Sequence, residues 1–216
     1  MLSAFLVAVP LHGQAVRHGQ ASADVLGDAR AASVVISVQT DSGPALGSGF
    51  FIDSTGIIAT AAHVVRGATS VEVRLANGFQ PRVLGLLYAD SATDFALIQV
   101  AMDHPPVLAS GSDALTIGER LYAVGSPEGL AFSVSDGLLS SQRLVAGRRL
   151  LQVSIPVSHG SSGGPVVDPD GRVVGMIVLG LRGDGAENLN FALPVSYIRE
   201  VLPLVRGQTP RPFASD

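Results

Sequence analysis

From Ala31 onward the apolar residues fall in short runs, many alternating with polar ones, and Gly, Pro, Asn, Asp or Ser breaks each run within a few residues. Runs of this length, rich in Val, Ile and Leu and bounded by turn formers, predict β-strands. In the first half they are Val34–Thr40, Gly47–Asp53, Ile57–Ala61, Ser70–Leu75, Arg82–Ala89 and Phe95–Val100. A stretch from His104-Pro105-Pro106-Val107 to Gly111-Ser112-Asp113 then disfavours both helix and central strand and reads as a linker. The second half repeats the rhythm with Arg120–Gly125, Ser133–Ser141, Leu150–Ser154, Gly164–Asp168, Val173–Leu179 and Asn190–Pro194. Only Val195–Arg206 has helical spacing, with Ile198, Val201, Leu202 and Val205 on one face. The expectation is an all-β chain whose halves, 24–108 and 109–216, have the similar strand counts that a pair of barrels requires, with a C-terminal helix as a cap.

Composition narrows the class. An apolar share of 47% over 216 residues supports a buried core, and Gly 25 with Pro 13 fits many tight turns. Net charge is −4 and all 14 basic residues are scattered arginines, so no clustered basic face for nucleic acid is expected. Cysteine is absent, which removes disulfides and thiolate metal sites, and no cofactor or metal is expected. The apolar run Met-Leu-Ser-Ala-Phe-Leu-Val-Ala-Val-Pro-Leu is too short to span a bilayer, so no stable membrane span is expected. With the small residues Ala21-Ser22-Ala23 after it, residues 1–23 read as an export signal lacking its basic n-region, and the location as secreted or periplasmic.

Three local patterns carry chemistry. In Gly160-Ser161-Ser162-Gly163-Gly164-Pro165 a serine lies among glycines, which lets the backbone turn sharply and aim N–H groups at one spot where an oxyanion can be held. Taken alone it equally reads as a hairpin connection. In Thr60-Ala61-Ala62-His63-Val64-Val65 a histidine follows an apolar run among small residues, open to solvent and able to take a proton from a serine hydroxyl near neutral pH. Histidines of this kind are also commonly structural. His12 and His18 in the tail, His104 in the linker and His159 beside the glycine turn lack its surroundings. In Ala92-Thr93-Asp94-Phe95-Ala96-Leu97-Ile98 an acid stands at the mouth of an apolar strand, where a partly buried carboxylate needs a partner such as an imidazole N–H. The competing reading is an Asp capping a turn, the role expected of Asp90.

The order His63, Asp94, Ser162, drawn from both halves, is more specific than any one motif. With Leu46-Gly47-Ser48-Gly49-Phe50, Gly125-Ser126-Pro127, Gly129-Leu130 and Asn190-Phe191-Ala192-Leu193-Pro194, the chain resembles the trypsin-like serine proteases, and among them the HtrA group, from about Ala31 to Arg206. The resemblance implies two perpendicular six-stranded β-barrels with an active site in the cleft between them. It also implies a serine endopeptidase acting on protein or peptide substrates, with His63, Asp94 and Ser162 as its triad. The backbone N–H groups of Gly160, Ser161 and Ser162 would form the oxyanion hole. HtrA proteases are commonly trimers, but no contact for a homo-oligomer is recognisable in residues 24–40.

Departures from the family pattern limit what carries over. Ser161 stands where the family has Asn or Asp, which implies no activation switch through a new N-terminus. The chain ends ten residues after Arg206, so no PDZ module is expected. Alignment to the family makes Pro156, Val157, Val178, Leu179 and Gly180 the walls of the pocket for the residue before the cut bond. These are apolar and lack an acid, which favours small or medium aliphatic residues over Arg or Lys. His159 contacts substrate or fills space, the second being the expectation. Two rivals stay open: a protease fold without activity that holds extended peptides, and an ester hydrolase with the same chemistry. The α/β-hydrolase form of the latter would place its histidine last.

Overall fold

The computed structural model describes residues 20–126, 132–145, 147–183 and 186–213, with side chains at all of these except 179–183 and 186–188. Six strands of the first half, β1 (Ser33–Thr40), β2 (Gly43–Phe51), β3 (Ile57–Thr60), β4 (Ala68–Leu75), β5 (Val83–Asp90) and β6 (Phe95–Val100), form an antiparallel sheet in the order β4-β1-β2-β3-β6-β5. Six of the second half, β7 (Arg120–Gly125), β8 (Ser133–Val145), β9 (Arg148–Val153), β10 (Pro165–Val167), β11 (Val173–Gly183) and β12 (Ala186–Pro194), close into a barrel in the order β10-β11-β12-β9-β8-β7. Among the described residues the helices are α1 (Ala23–Ala31), the single turn α2 (Ala62–Val65) and α3 (Val195–Val205).

The continuous apolar runs of β3 and β6 follow from burial on both faces. Successive side chains of a strand point to opposite faces. In β3, Ile58 enters the core of the first sheet, while Ile57 and Ala59 enter a second cluster that also holds Tyr122, Val124, Leu150, Met176, Phe191 and Leu193 of the other half. β6 splits likewise, with Ala96, Ile98 and Val100 inward and Phe95 and Leu97 toward the second half. The two halves therefore share one apolar interface. At about 1.5–3 kcal/mol for each large side chain buried, this interface resists separation of the halves.

Closure differs between the halves. The second sheet is hydrogen-bonded all round, whereas the first keeps a seam between its edge strands β4 and β5. Part of the β5 edge is taken by the C-terminal tail: Arg211 and Leu86 exchange backbone hydrogen bonds of 2.7 and 2.9 Å, and Phe213 packs on the core of the first sheet. Gly85 permits this approach, because a Cβ there would lie 2.1 Å from the Arg211 carbonyl oxygen. The linker is docked too. Gly111 donates to Val173 O at 2.7 Å, Val173 donates to Ala109 O at 2.8 Å, and Leu108 is buried in the shared interface.

α3 follows the helical spacing of the sequence, with Ile198 and Val205 buried. α1 was not foreseen. Its apolar residues make no long stripe; what holds it is the Ser22 side chain, which accepts from Val25 N–H at 3.3 Å, and Ala29, which is fully buried. Ala21 N–H also donates to the Tyr122 hydroxyl at 2.9 Å, so packed structure begins ahead of the boundary drawn at residue 24. Residues 1–19 lie outside the described residues.

Candidate active site

His63 sits in α2, directly after β3 delivers the chain to the interface, and Asp94 lies in the turn between β5 and β6. Asp94 has φ +56°, a left-handed conformation that Asp tolerates better than most residues. Two of its groups bind the α2 backbone: its carbonyl accepts from Ala62 N–H at 3.1 Å, and Oδ1 accepts from His63 N–H at 2.9 Å. Oδ2 is then 2.7 Å from His63 Nδ1. A carboxylate only accepts, so the proton of this contact belongs to Nδ1, and in the neutral imidazole Nε2 is then the acceptor. The imidazole is half exposed, at 42%, and the carboxylate is 18% exposed.

Asp90 does something else. Its Oδ1 accepts from Ala92 N–H at 2.8 Å and its Oδ2 from the Thr93 hydroxyl at 2.7 Å, which makes it the cap of the turn that presents Asp94. The Thr93 hydroxyl first, then the N–H groups of Ala92 and Thr93 and the charge of Arg148, hold its carboxyl below the ordinary value against an opposing effect of burial.

Ser162 lies on the turn between β9 and β10, and the hydrogen bonds of that turn can be followed peptide by peptide. Ser161 N–H donates to Ser158 O at 3.1 Å, Gly163 N–H to Ile177 O at 2.7 Å and Gly164 N–H to Ser161 O at 3.0 Å. The carbonyls of Gly160 and Ser162 are taken by Ser48, at 2.6 Å from its hydroxyl and 2.8 Å from its N–H. Among the described residues no acceptor is assigned to the N–H groups of Gly160 and Ser162. The expected participation of Ser161 as an oxyanion donor therefore fails, since its N–H is spent within the turn. Gly163 shows why the turn needs glycine: at φ +85° a Cβ would lie 2.1 Å from Ser48 O and 2.5 Å from the Thr60 hydroxyl.

One cleft of about 690 Å³ is lined by His63, Asp94 and Ser162 together. Its walls include Leu150, Val157, Ile177 and Val178, and Arg66 and Arg148 also face it. Ser158 and His159 line it as well. His159 is exposed there rather than packed, contrary to the expectation that it fills space. Pro156 lines a smaller adjoining cavity of about 150 Å³ with Ser161, Ser133 and Ser135. Leu179 and Gly180 pair through their backbones with Phe191 and Asn190, and their side chains lie outside the description, as do those of Asp184 and Glu187. No group of three or more His, Cys, Asp or Glu able to hold a metal ion occurs among the described residues.

Residues 47–176 match the family model of the trypsin-like peptidase domain. The chain belongs to that family. This trypsin-like peptidase domain is 36% identical over 168 residues to a DegP-like periplasmic serine endoprotease of Halomonas elongata, covering 75% of this chain and 35% of the relative. It is 32% identical over 195 residues to the serine protease Do-like HtrA of Bacillus subtilis, covering 82% of this chain and 43% of the relative. The chain thus spans less than half the length of these relatives. In fold it resembles the HtrA-type protease AlgW solved with a tripeptide, with a TM-score of 0.78, 24% identity, and coverage of 86% of this chain and 63% of that one.

Proposed function

We propose that the chain is a serine endopeptidase of the HtrA type working through His63, Asp94 and Ser162. The carrying observation is the 2.7 Å contact that presents His63 Nδ1 to Asp94, in a cleft shared with a serine whose turn leaves two N–H groups without acceptors. In this reading Nε2 takes the Ser162 hydroxyl proton as Oγ attacks the scissile carbonyl. The N–H groups of Gly160 and Ser162 receive the negative charge that develops on the carbonyl oxygen, an interaction worth about 2.7–4 kcal/mol for a single donor in such sites. The imidazolium, stabilised by Asp94, then gives its proton to the leaving amine, and water repeats the steps on the acyl-enzyme.

Substrate choice follows from the walls. Asp94 is the only carboxylate among the described residues lining the cleft, and it is committed to His63. Burying a substrate Arg or Lys beside Val157 and Val178 would leave its charge unpaired, whereas each aliphatic methylene buried gains about 0.8 kcal/mol. Small or medium aliphatic residues before the cut, in unfolded or extended protein chains, are the substrates this supports. A periplasmic or secreted setting is supported by the H. elongata relative, named as periplasmic, and by the signal-like pattern of residues 1–23.

The test is a fluorophosphonate probe on the folded protein. Labelling at Ser162, abolished by Ser162→Ala along with peptide hydrolysis while the thermal transition is unchanged, is the expected result. Folded protein that takes no label would favour the peptide-holding reading instead.

A further inference from the structure

Ser48 stands on β2, in the first sheet, and is 1% exposed. Each of its polar atoms is engaged. Its N–H donates to Ser162 O at 2.8 Å, and its hydroxyl donates to Gly160 O at 2.6 Å and accepts from Ser126 N–H at 3.0 Å. Its carbonyl accepts from the Thr60 hydroxyl at 2.7 Å, three residues ahead of His63. Three of these bonds cross to the second half, while the fourth joins the strand that leads to the imidazole. No apolar side chain could replace this set, because the Gly160 carbonyl and Ser126 N–H would lose their shared partner inside a buried interface.

The placement bears on chemistry through peptide planes. Ser48 Oγ holds the carbonyl of the peptide joining Gly160 to Ser161, and Ser158 O holds the N–H of the same peptide. Ser48 N–H holds the carbonyl of the peptide joining Ser162 to Gly163, and Ile177 O holds its N–H. The two clamped planes lie on either side of the Ser161–Ser162 peptide, whose own carbonyl accepts from Gly164 N–H at 3.0 Å. Holding the planes before and after this peptide confines the backbone angles of Ser161 and Ser162, and with them the direction of the Ser162 N–H and side chain, and sets one side of Gly160.

We propose that Ser48 is a positioning residue of the peptidase reaction: from the first sheet it registers the nucleophile turn against the segment that carries His63. This rests on the endopeptidase reading above. Ser48 touches neither substrate nor the reacting atoms, and its effect is on the alignment of groups that do. A displacement of about 1 Å in such an arrangement costs on the order of a hundredfold in rate.

The experiment compares wild type, Ser48→Ala, Ser48→Cys and Ser162→Ala on one peptide substrate, with a peptide aldehyde and a product peptide as ligands. The aldehyde forms a hemiacetal with the Ser162 hydroxyl and places an oxyanion in the hole, whereas the product peptide does neither. Ser48→Ala is expected to lower kcat by about ten- to hundredfold with KM within about twofold. It should weaken the aldehyde by a similar factor and leave product affinity unchanged. Ser48→Cys, nearly the same size with a weak donor, is expected between wild type and Ser48→Ala, and it gives the reading if Ser48→Ala fails to fold. A kcat within twofold of wild type in both Ser48 variants, with Ser162→Ala inactive, overturns the positioning role and leaves the peptidase standing. Equal losses of aldehyde and product affinity overturn it also, since that is general loosening. A wild-type protein that neither cleaves nor binds the aldehyde overturns the peptidase reading and the positioning role with it.

Discussion

Replacing Asp94 by Asn tests the site at its most constrained point. The side chain keeps its size, and Asn accepts the φ of +56° at least as readily as Asp, so the fold should hold. What changes is the direction of one hydrogen bond. His63 N–H lies 2.9 Å from Oδ1 and needs an acceptor, so the amide must turn its oxygen there. Its NH₂ then faces His63 Nδ1 where the carboxylate oxygen stood at 2.7 Å. A donor at that place forces Nδ1 to accept, moves the ring proton to Nε2, and removes the base that Ser162 needs. Triads of this kind lose about ten-thousandfold in kcat from this substitution, which at 1.36 kcal/mol per decade is about 5.4 kcal/mol of transition-state stabilisation. The assay is kcat/KM on a short chromogenic peptide beside a thermal scan, with a Tm change under about 3 °C expected. Activity within tenfold of wild type would show that the contact with Nδ1 does not govern the proton, and a larger loss from Asp90→Asn would show that the wrong acid was chosen.

Three further outcomes follow from the same geometry. Asp90 has a carboxyl held below its ordinary value, so its stabilising effect is present above the unfolded value near 3.8 and fades as pH falls below it. Asp90→Asn should therefore lower Tm slightly at pH 7, lose that difference as pH falls well below 3.8, and leave kcat/KM within about twofold, as pH-dependent melting and neutral-pH kinetics would show. Chains starting at Gln20 or Ala21 should melt alike, whereas one starting at Ser33 loses Leu26, Ala29 and Ala32 from the interface and should melt roughly 5–10 °C lower, as calorimetry would show. In digests of unfolded casein, new C-termini read by mass spectrometry should be mainly Val, Ala, Ile or Leu; ends dominated by Arg or Lys would mean that an acid reaches the pocket.

The strands were legible because burial and period coincide along them. β3 and β6 are apolar on both faces since each separates a sheet core from the interface, and a continuous apolar run is what that requires. α1 was illegible for the opposite reason: a short helix held by one serine cap and one buried alanine leaves no stripe to detect. The seam of the first sheet was also hidden. Six strand-like runs specify six strands, but whether the edge strands β4 and β5 pair depends on curvature and on the tail that occupies the β5 edge at Leu86, which lies 125 residues upstream of Arg211.

For the site, residue type was readable and peptide direction was not. A serine among glycines announces a turn that can aim N–H groups, yet which ones remain free depends on the carbonyls that surround it. The resemblance places Ser161 among the donors, yet the carbonyl that takes its N–H belongs to Ser158, three residues back in the same turn. The same limit concealed Ser48. In sequence Gly47-Ser48-Gly49 is a small-residue signature 114 residues before Ser162, with nothing to mark its hydroxyl as more than a tolerated small group. Its neighbours give the reason for its size: Cβ atoms added at Gly47 and Gly49 would come within 2.5 Å of Val64 and 2.8 Å of the Ala59 carbonyl, so β2 must be small where it passes α2 and β3. Serine is the smallest residue that still carries a hydroxyl, and at this crossing the hydroxyl is what the Gly160 carbonyl and Ser126 N–H both require.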